Sequence, residues 1–240
     1  MLKKIIKVGL VVACILAAII FGLMTWATYS ITAQLANVRV EKKSELIQKY
    51  QDEIDRVEIE NADSMRISFW RFAQREPKGL VVVLHGMHGQ DASSLLNLGY
   101  FFKEAKFETF CLDLRAHGYS EGDEIGFGYT EVKDVSALLD WIKADPRYDK
   151  KKIILYGISM GGATALNVAA EREDVDMVIS VSAFKSYTDT FLDTMRREKV
   201  PELVVNLFRP SIALVLAAKY DLNFMDKSPI RNIARIKNTP

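Results

Sequence analysis

The sequence predicts an α/β fold: a doubly wound, mostly parallel sheet with a helical insert near its end, preceded by a helix that crosses a membrane. Three observations carry this. Val8–Ala27 is an uncharged apolar run. Between Leu80 and Val181, short continuously apolar runs alternate with stretches of helical periodicity. A serine framed by glycines, Gly157-Ile158-Ser159-Met160-Gly161, falls where one such run gives way to a helix.

Composition narrows the class. Of the 240 residues, 49% are hydrophobic and 26% charged, which excludes intrinsic disorder, a collagen-like repeat and a disulfide scaffold. The formal charge of +1 supplies no basic field to recruit nucleic acid. Three histidines and two cysteines show no metal-site spacing, and no organic cofactor is implied.

The amino end reads as an anchor over residues 1–30. Twenty residues of helix rise about 30 Å, the hydrocarbon thickness of a bilayer. A cleaved signal peptide is the rival, because Thr25-Trp26-Ala27 is a passable small-x-small site. Signal peptides, however, have an apolar core of only about 7–15 residues. Lys3, Lys4 and Lys7 stay in the cytoplasm by the positive-inside rule, which sends the carboxyl-terminal domain out of the cytoplasm as part of a single-pass cell-membrane protein. Cys14 lies in the apolar run and Cys111 in a strand pattern, so they cannot pair.

A polar, helix-prone stretch gives a stalk over residues 31–54. Arg56–Glu60 and Arg66–Phe72, separated by Asn61-Ala62-Asp63, read as a hairpin. Gly79–Leu84 is an apolar run of the kind buried on both faces of a parallel sheet. Asp91–Lys106 has helical spacing and Phe107–Leu112 is a strand. Tyr129–Ala144 is an amphipathic helix that stops at Asp145-Pro146. Ile153–Tyr156, Met160–Glu171 and Met177–Val181 follow as strand, helix and strand. This alternation argues for an open sheet with helices on both faces.

The catalytic signal is the G-x-S-x-G pentapeptide. A serine nucleophile must project from a sharp strand-to-helix turn in a strained backbone conformation. Residues two before and two after it come close together, so only glycine fits at Gly157 and Gly161. The bland alternative is a plain glycine-rich turn. His85-Gly86-Met87-His88-Gly89 follows the first buried strand, where enzymes of this design place a second oxyanion-hole donor. The donors are then the backbone N–H groups of Met160 and Met87. His85 reads as a local hydrogen-bonding residue that holds the loop, and His117 as a structural or rim residue, rather than as the catalytic base.

Together the His85-Gly86 loop, Asp113–Ser120, a Gly128-Tyr129…Glu131…Asp134…Trp141 helix and the Ser159 turn resemble the α/β-hydrolase superfamily. The likeness is greatest to bacterial membrane-anchored or secreted members of the serine aminopeptidase and monoglyceride-lipase-like groups. It implies the α/β-hydrolase fold from residue 55 onward, Ser159 as nucleophile, and Met160 and Met87 as oxyanion donors. Ala116 and Lys106 stand where the family favours glycine, each implying a backbone adjustment of about 1 kcal/mol. The resemblance also implies a triad in the order Ser, Asp, His. No histidine follows His117, so the acid and base are expected beyond Pro240, with Ile236–Pro240 read as the approach to the next strand and the core incomplete. Asp189, Asp193 and Asp221 are left unassigned. Residues 184–228 read as a helical lid, in which Phe191, Leu192 and Met195 share a face and Ser211 caps the run Ile212–Ala218. The expected activity is a serine hydrolase acting on small-molecule, lipid-like carboxylic esters. A peptidase and a non-catalytic binding or scaffold protein remain the alternatives.

Overall fold

The computed structural model describes residues 1–41, 44–220 and 228–236. These fall into two compact units, residues 1–35 with 188–220, and residues 36–187 with 228–236.

The second unit is built on six strands: β1 (Asp55–Glu60), β2 (Arg66–Phe72), β3 (Leu80–Leu84), β4 (Glu108–Leu112), β5 (Ile153–Ile158) and β6 (Met177–Val181). Their order is β1-β2-β4-β3-β5-β6. β1 pairs with β2, and β2 with β4, antiparallel; β4, β3, β5 and β6 are parallel neighbours, with Val82 opposite both Phe110 and Leu155. The doubly wound, mostly parallel sheet is therefore present. β3 and β4 are buried along their whole length, which is why β3 is apolar without alternation; β4 is apolar from Phe110 to Leu112 and buries Glu108 and Thr109 at its start.

Side-chain alternation assigns the two faces. Trp70, Phe72, Val81, Val83 and Cys111 point to one side and pack with Tyr50, Ala92 and Leu96. Leu96 belongs to the helix Leu96–Glu104 that precedes β4. On the other side Phe69 and Phe110 meet Trp141 edge-on, with ring centroids 5.2 and 6.2 Å apart. Trp141 lies on the helix Val132–Ala144. The helix Met160–Glu171 follows β5 directly. A positive φ occurs at both Lys106 (70°) and Ala116 (61°), the two positions where the family favours glycine.

Several boundaries differ from the sequence expectation. The first helix is continuous over Leu2–Ala36 and enters the stretch read as stalk, since no glycine or proline interrupts it after Gly22. The segment after it is tied down. Ala36 O accepts from Ile125 N at 2.8 Å, Val40 forms a parallel bridge with His117, and Arg39 Nη1 donates to the carbonyls of Ser120 and Gly122 at 3.0 Å. Isolated bridges of this kind leave no periodic signal.

In the first unit, Tyr187–Arg197 (its residues from 188) and Glu202–Tyr220 are helical. Ser211 does not cap a helix. It lies within Glu202–Tyr220, immediately after Pro210, and its Oγ donates to Phe208 O at 2.7 Å. The helix passes through the proline because Val205, Ile212, Val215 and Leu216 form one buried stripe across it. Ser211 Oγ also lies 3.3 Å from Thr28 Oγ1 on Leu2–Ala36. The expected lid residues 221–227, with Asp221, and residues 237–240 lie outside the described set.

One ionic cluster fixes the hairpin to the rest of the second unit. Arg115 forks the fully buried Asp134 carboxylate at 2.8 and 3.1 Å, and its backbone N–H donates to it at 3.0 Å. Asn61 Nδ2 donates to Asp134 at 2.6 Å, and Asp63 receives Arg115 and Lys133. Removing one member of such a pair strands a buried charge. Asp134→Ala is therefore expected to cost about 3–5 kcal/mol in denaturant unfolding. Removing the exposed partner of Arg71, by Asp55→Ala, should cost below about 1 kcal/mol. Equal losses from the two would show that the cluster does not hold the hairpin.

Candidate active site

Ser159 sits between β5 and the helix Met160–Glu171 with φ 53° and ψ −115°, a conformation that side-chain-bearing residues rarely adopt. It is held from both sides. Its N–H donates to Val181 O on β6 at 2.8 Å, and its carbonyl accepts from Ala163 N at 3.0 Å.

The flanking glycines explain how the turn closes. A Cβ on Gly157 would stand 2.2 Å from Gly161 O. A Cβ on Gly161 would stand 2.3 Å from Leu84 O and 2.6 Å from His85 O. These obstacles are backbone atoms, which cannot swing aside. The absence of both side chains lets the start of the helix press against the end of β3.

That contact brings the His85-Gly86 loop to the serine: a Cβ on Gly86 would lie 3.4 Å from Ser159 Cβ. The amide of Gly86 donates to Gln90 Oε1 at 3.3 Å, a support that no sequence signal pointed to. Met87 follows on a half-buried bend, and Met160 is the first residue of its helix. A first-turn N–H has no intrahelical acceptor, and that of the fully buried Met160 is one of these.

The histidines are placed differently. His85 is fully buried; its Nδ1 donates to Gly86 O at 2.6 Å and its Nε2 accepts from Leu114 N at 3.1 Å. Both ring nitrogens are engaged only in the neutral tautomer. Burial, and then the charge of His117, pushes its pKa down to about 3. His117 is buried with its ring 4.5 Å from that of His85, and its Nδ1 donates to Arg115 O at 2.8 Å. Burial lowers its pKa as well. Among the described residues no side chain is hydrogen-bonded to Ser159 Oγ.

Two buried carboxylates support the loops around the turn. Asp113, after β4, accepts from Ala92 N at 2.8 Å and Tyr119 N at 3.0 Å. Gly118 leaves the room it occupies, since a Cβ there would meet Asp113 Oδ1 at 2.3 Å. Glu131 accepts from Gly126 N and Gly128 N at 2.6 and 2.8 Å. Burial raises both carboxyls to about 7. Among the described residues no group of three His, Cys, Asp or Glu could hold a metal ion.

The state of His85 has a consequence for stability. Unfolded, it takes up a proton near its ordinary value of 6.5; folded, only at about 3. The folded state binds fewer protons in that window, so the contribution of His85 is whole above about pH 6.5 and is lost as pH falls, at about 1.4 kcal/mol per unit. Asp113 and Glu131 act in the opposite sense, losing stability as pH rises toward 7. The His85 part is isolated by comparing unfolding of the wild type and His85→Gln from pH 7 to pH 4. The variant should be less stable at pH 7, with the difference shrinking steadily on acidification. A constant difference would mean that His85 is not held neutral.

Comparisons with known proteins give the family and the fold. Residues 75–235 match the family described as "Serine aminopeptidase, S33" (Hydrolase_4). An uncharacterised membrane protein of Saccharomyces cerevisiae is 27% identical over 125 residues, which are 52% of this chain and 43% of that protein. Mouse monoglyceride lipase is 34% identical over 116 residues, 47% of this chain and 37% of the lipase. The matched region thus spans less than half the length of these relatives. An esterase of Pyrococcus furiosus superposes with a TM-score of 0.62 at 21% identity, covering 80% of this chain and 72% of the esterase. An alpha-beta hydrolase from Vibrio vulnificus gives 0.62 at 18%, covering 89% and 72%. At such identities the two structures speak for the fold. With 75–235 matched, the chain belongs to the S33 serine aminopeptidase family of hydrolases, within the α/β-hydrolase superfamily.

Proposed function

We propose that this hydrolase cleaves carboxylic esters through an acyl-enzyme on Ser159. The observation that carries the reading is the Ser159 turn, whose strained φ and two absent Cβ atoms place an unoccupied hydroxyl beside the His85-Gly86 loop. Ser159 Oγ attacks the substrate carbonyl carbon, and its proton passes to a general base. The backbone N–H groups of Met160 and Met87 stabilise the oxygen that becomes negative. The alcohol leaves, and water then releases the acid from the serine ester. His85 has both ring nitrogens engaged, and His117 is buried with its Nδ1 on Arg115 O, so neither is assigned as the base. The ester preference is supported by the names of two relatives, a monoglyceride lipase and an esterase. Amide cleavage is the second reading, favoured by the name of the matched family.

The complete protein, carrying its general base, should be labelled by a fluorophosphonate probe. Ser159→Ala should abolish labelling and lower p-nitrophenyl ester turnover by about four to six orders of magnitude with folding retained. Labelling of Ser159→Ala at the wild-type level removes Ser159 from the mechanism. Faster turnover of aminoacyl p-nitroanilides than of esters would favour the peptidase.

The same proposal places the chain at the cell membrane. The helix Leu2–Ala36 contains a window of mean hydropathy 2.7, none of it buried, and is long enough to cross a bilayer. Three lysines precede its apolar run, which orients the amino end inward and residues 36–240 outward. Protease added to intact spheroplasts should digest the hydrolase unit and leave an amino-terminal tag protected. A soluble product beginning near Thr28 would instead show a cleaved leader.

A further inference from the structure

Residues 36–40 follow the first helix in the chain, belong to the second unit, and lie against the loop after β4. Val40 brackets His117: its N–H donates to Ala116 O and its carbonyl accepts from Gly118 N, both at 2.8 Å. Arg39 reaches over the same loop. Its Nη1 donates to Ser120 O and Gly122 O at 3.0 Å, and its Nη2 to Gly118 O at 3.4 Å, so one guanidinium gathers three carbonyls. The loop has a conformation that needs such ties. Ala116, Gly118 and Gly122 have φ of 61°, 54° and 97°, and a side-chain-bearing residue such as Ala116 keeps a positive φ only where its surroundings fix it. Asp113 and Ser120 tie the loop to β2 and to itself, Asp113 by accepting from Tyr119 N and Ser120 by accepting from Ser68 N. Arg39 and Val40 supply a second, separate set.

The same loop meets the oxyanion loop through its histidine. The His117 ring stands 4.5 Å from that of His85, and its Nδ1 is bonded within its own loop, to Arg115 O. Among the described residues its Nε2 has no hydrogen-bond partner. The ring therefore goes where the backbone of residues 116–118 goes, and Val40 holds that backbone on both sides of it. His85 also accepts from Leu114 N, and it is followed directly by Gly86, beside Ser159. We propose that Arg39 is a positioning residue of this hydrolase: with Val40 it seats His117 against His85, and so keeps the Gly86-Met87 backbone aligned with Ser159. The proposal rests on the reading of Ser159 as nucleophile and of Met87 N–H as an oxyanion donor. A donor aimed at the oxyanion acts in the transition state, so a small displacement of its loop lowers kcat and leaves substrate binding alone. The stretch of chain next to the first helix is, on this account, part of the support of the active site.

The test measures kcat and KM for p-nitrophenyl butyrate in the complete protein, with active sites counted by fluorophosphonate titration. Arg39→Gln should lower kcat per titrated site about tenfold and leave KM within about twofold. Arg39→Lys keeps the charge but cannot span three carbonyls, and should lower kcat about threefold. Arg147→Gln, which breaks an ion pair with Asp145 ahead of β5 while Ser159 follows its end, should change neither constant. Wild-type kcat per site in Arg39→Gln, with only the number of sites reduced, shows a purely structural role and overturns the proposal. Where Arg39→Gln yields no titratable sites, wild-type kcat in Arg39→Lys overturns it. A raised KM at constant kcat places Arg39 in substrate binding and overturns it too. A wild type that does not titrate overturns the reading of Ser159 and the positioning role with it. A wild type that titrates beside an unaffected Arg39→Gln overturns the positioning role alone.

Discussion

The close approach of two backbone segments at Gly157 and Gly161 is the constraint on which the rest of the second unit depends. A methyl group at Gly161 would stand 2.3 Å from a β3 carbonyl oxygen, far inside van der Waals contact, and one at Gly157 would overlap Gly161 itself. Because neither exists, the helix Met160–Glu171 starts directly against the sheet. The chain turns within a single residue, and that residue is Ser159. Its left-handed φ costs on the order of 1–3 kcal/mol, and β6 and Ala163 hold it in place by hydrogen bonds to its backbone. The same contact sets the His85-Gly86 loop beside Ser159, next to the first residue of the helix, the proposed oxyanion donor Met160. Strain, proximity and donor placement thus share one geometric cause.

Electrostatics around the turn serve rigidity. His85 is locked neutral between Gly86 O and Leu114 N, and Asp113 and Glu131 spend their oxygens on backbone N–H groups of neighbouring loops. The Arg115–Asp134 fork joins the loop after β4 to the helix Val132–Ala144, and Asn61 and Asp63 extend it to the hairpin. Each of these groups is expensive to bury alone and well satisfied as placed. The loops that frame Ser159 are thereby fixed before any substrate arrives, as preorganised stabilisation of a developing oxyanion requires.

The parts of this design that recur locally were legible in the sequence. β3, β4 and β5 announce themselves as short apolar runs, and the serine turn as five residues whose spacing follows from sterics. Parts that depend on residues far apart were not. Arg115 and Asp134 carried no pairing signal because 19 positions separate them. The strap from Ala36 to Val40 is one bridge and a few carbonyls, too short for periodicity. Ser211 read as the cap of Ile212–Ala218, yet the helix runs on through Pro210, where a buried apolar stripe on both sides outweighs the lost hydrogen bond. Local propensity yielded there to packing.

The central claim, that missing side chains at the turn set up the proposed nucleophile, is tested most directly by the rate at which a fluorophosphonate phosphonylates Ser159 in a Gly161→Ala protein that keeps its wild-type circular dichroism. Ser159 is still present in that variant, but the added methyl must push the helix start away from Leu84 O. A displacement near 1 Å at a reacting group lowers rates by about 100-fold, and a loss of at least that size is the predicted result. Labelling at the wild-type rate would contradict the account.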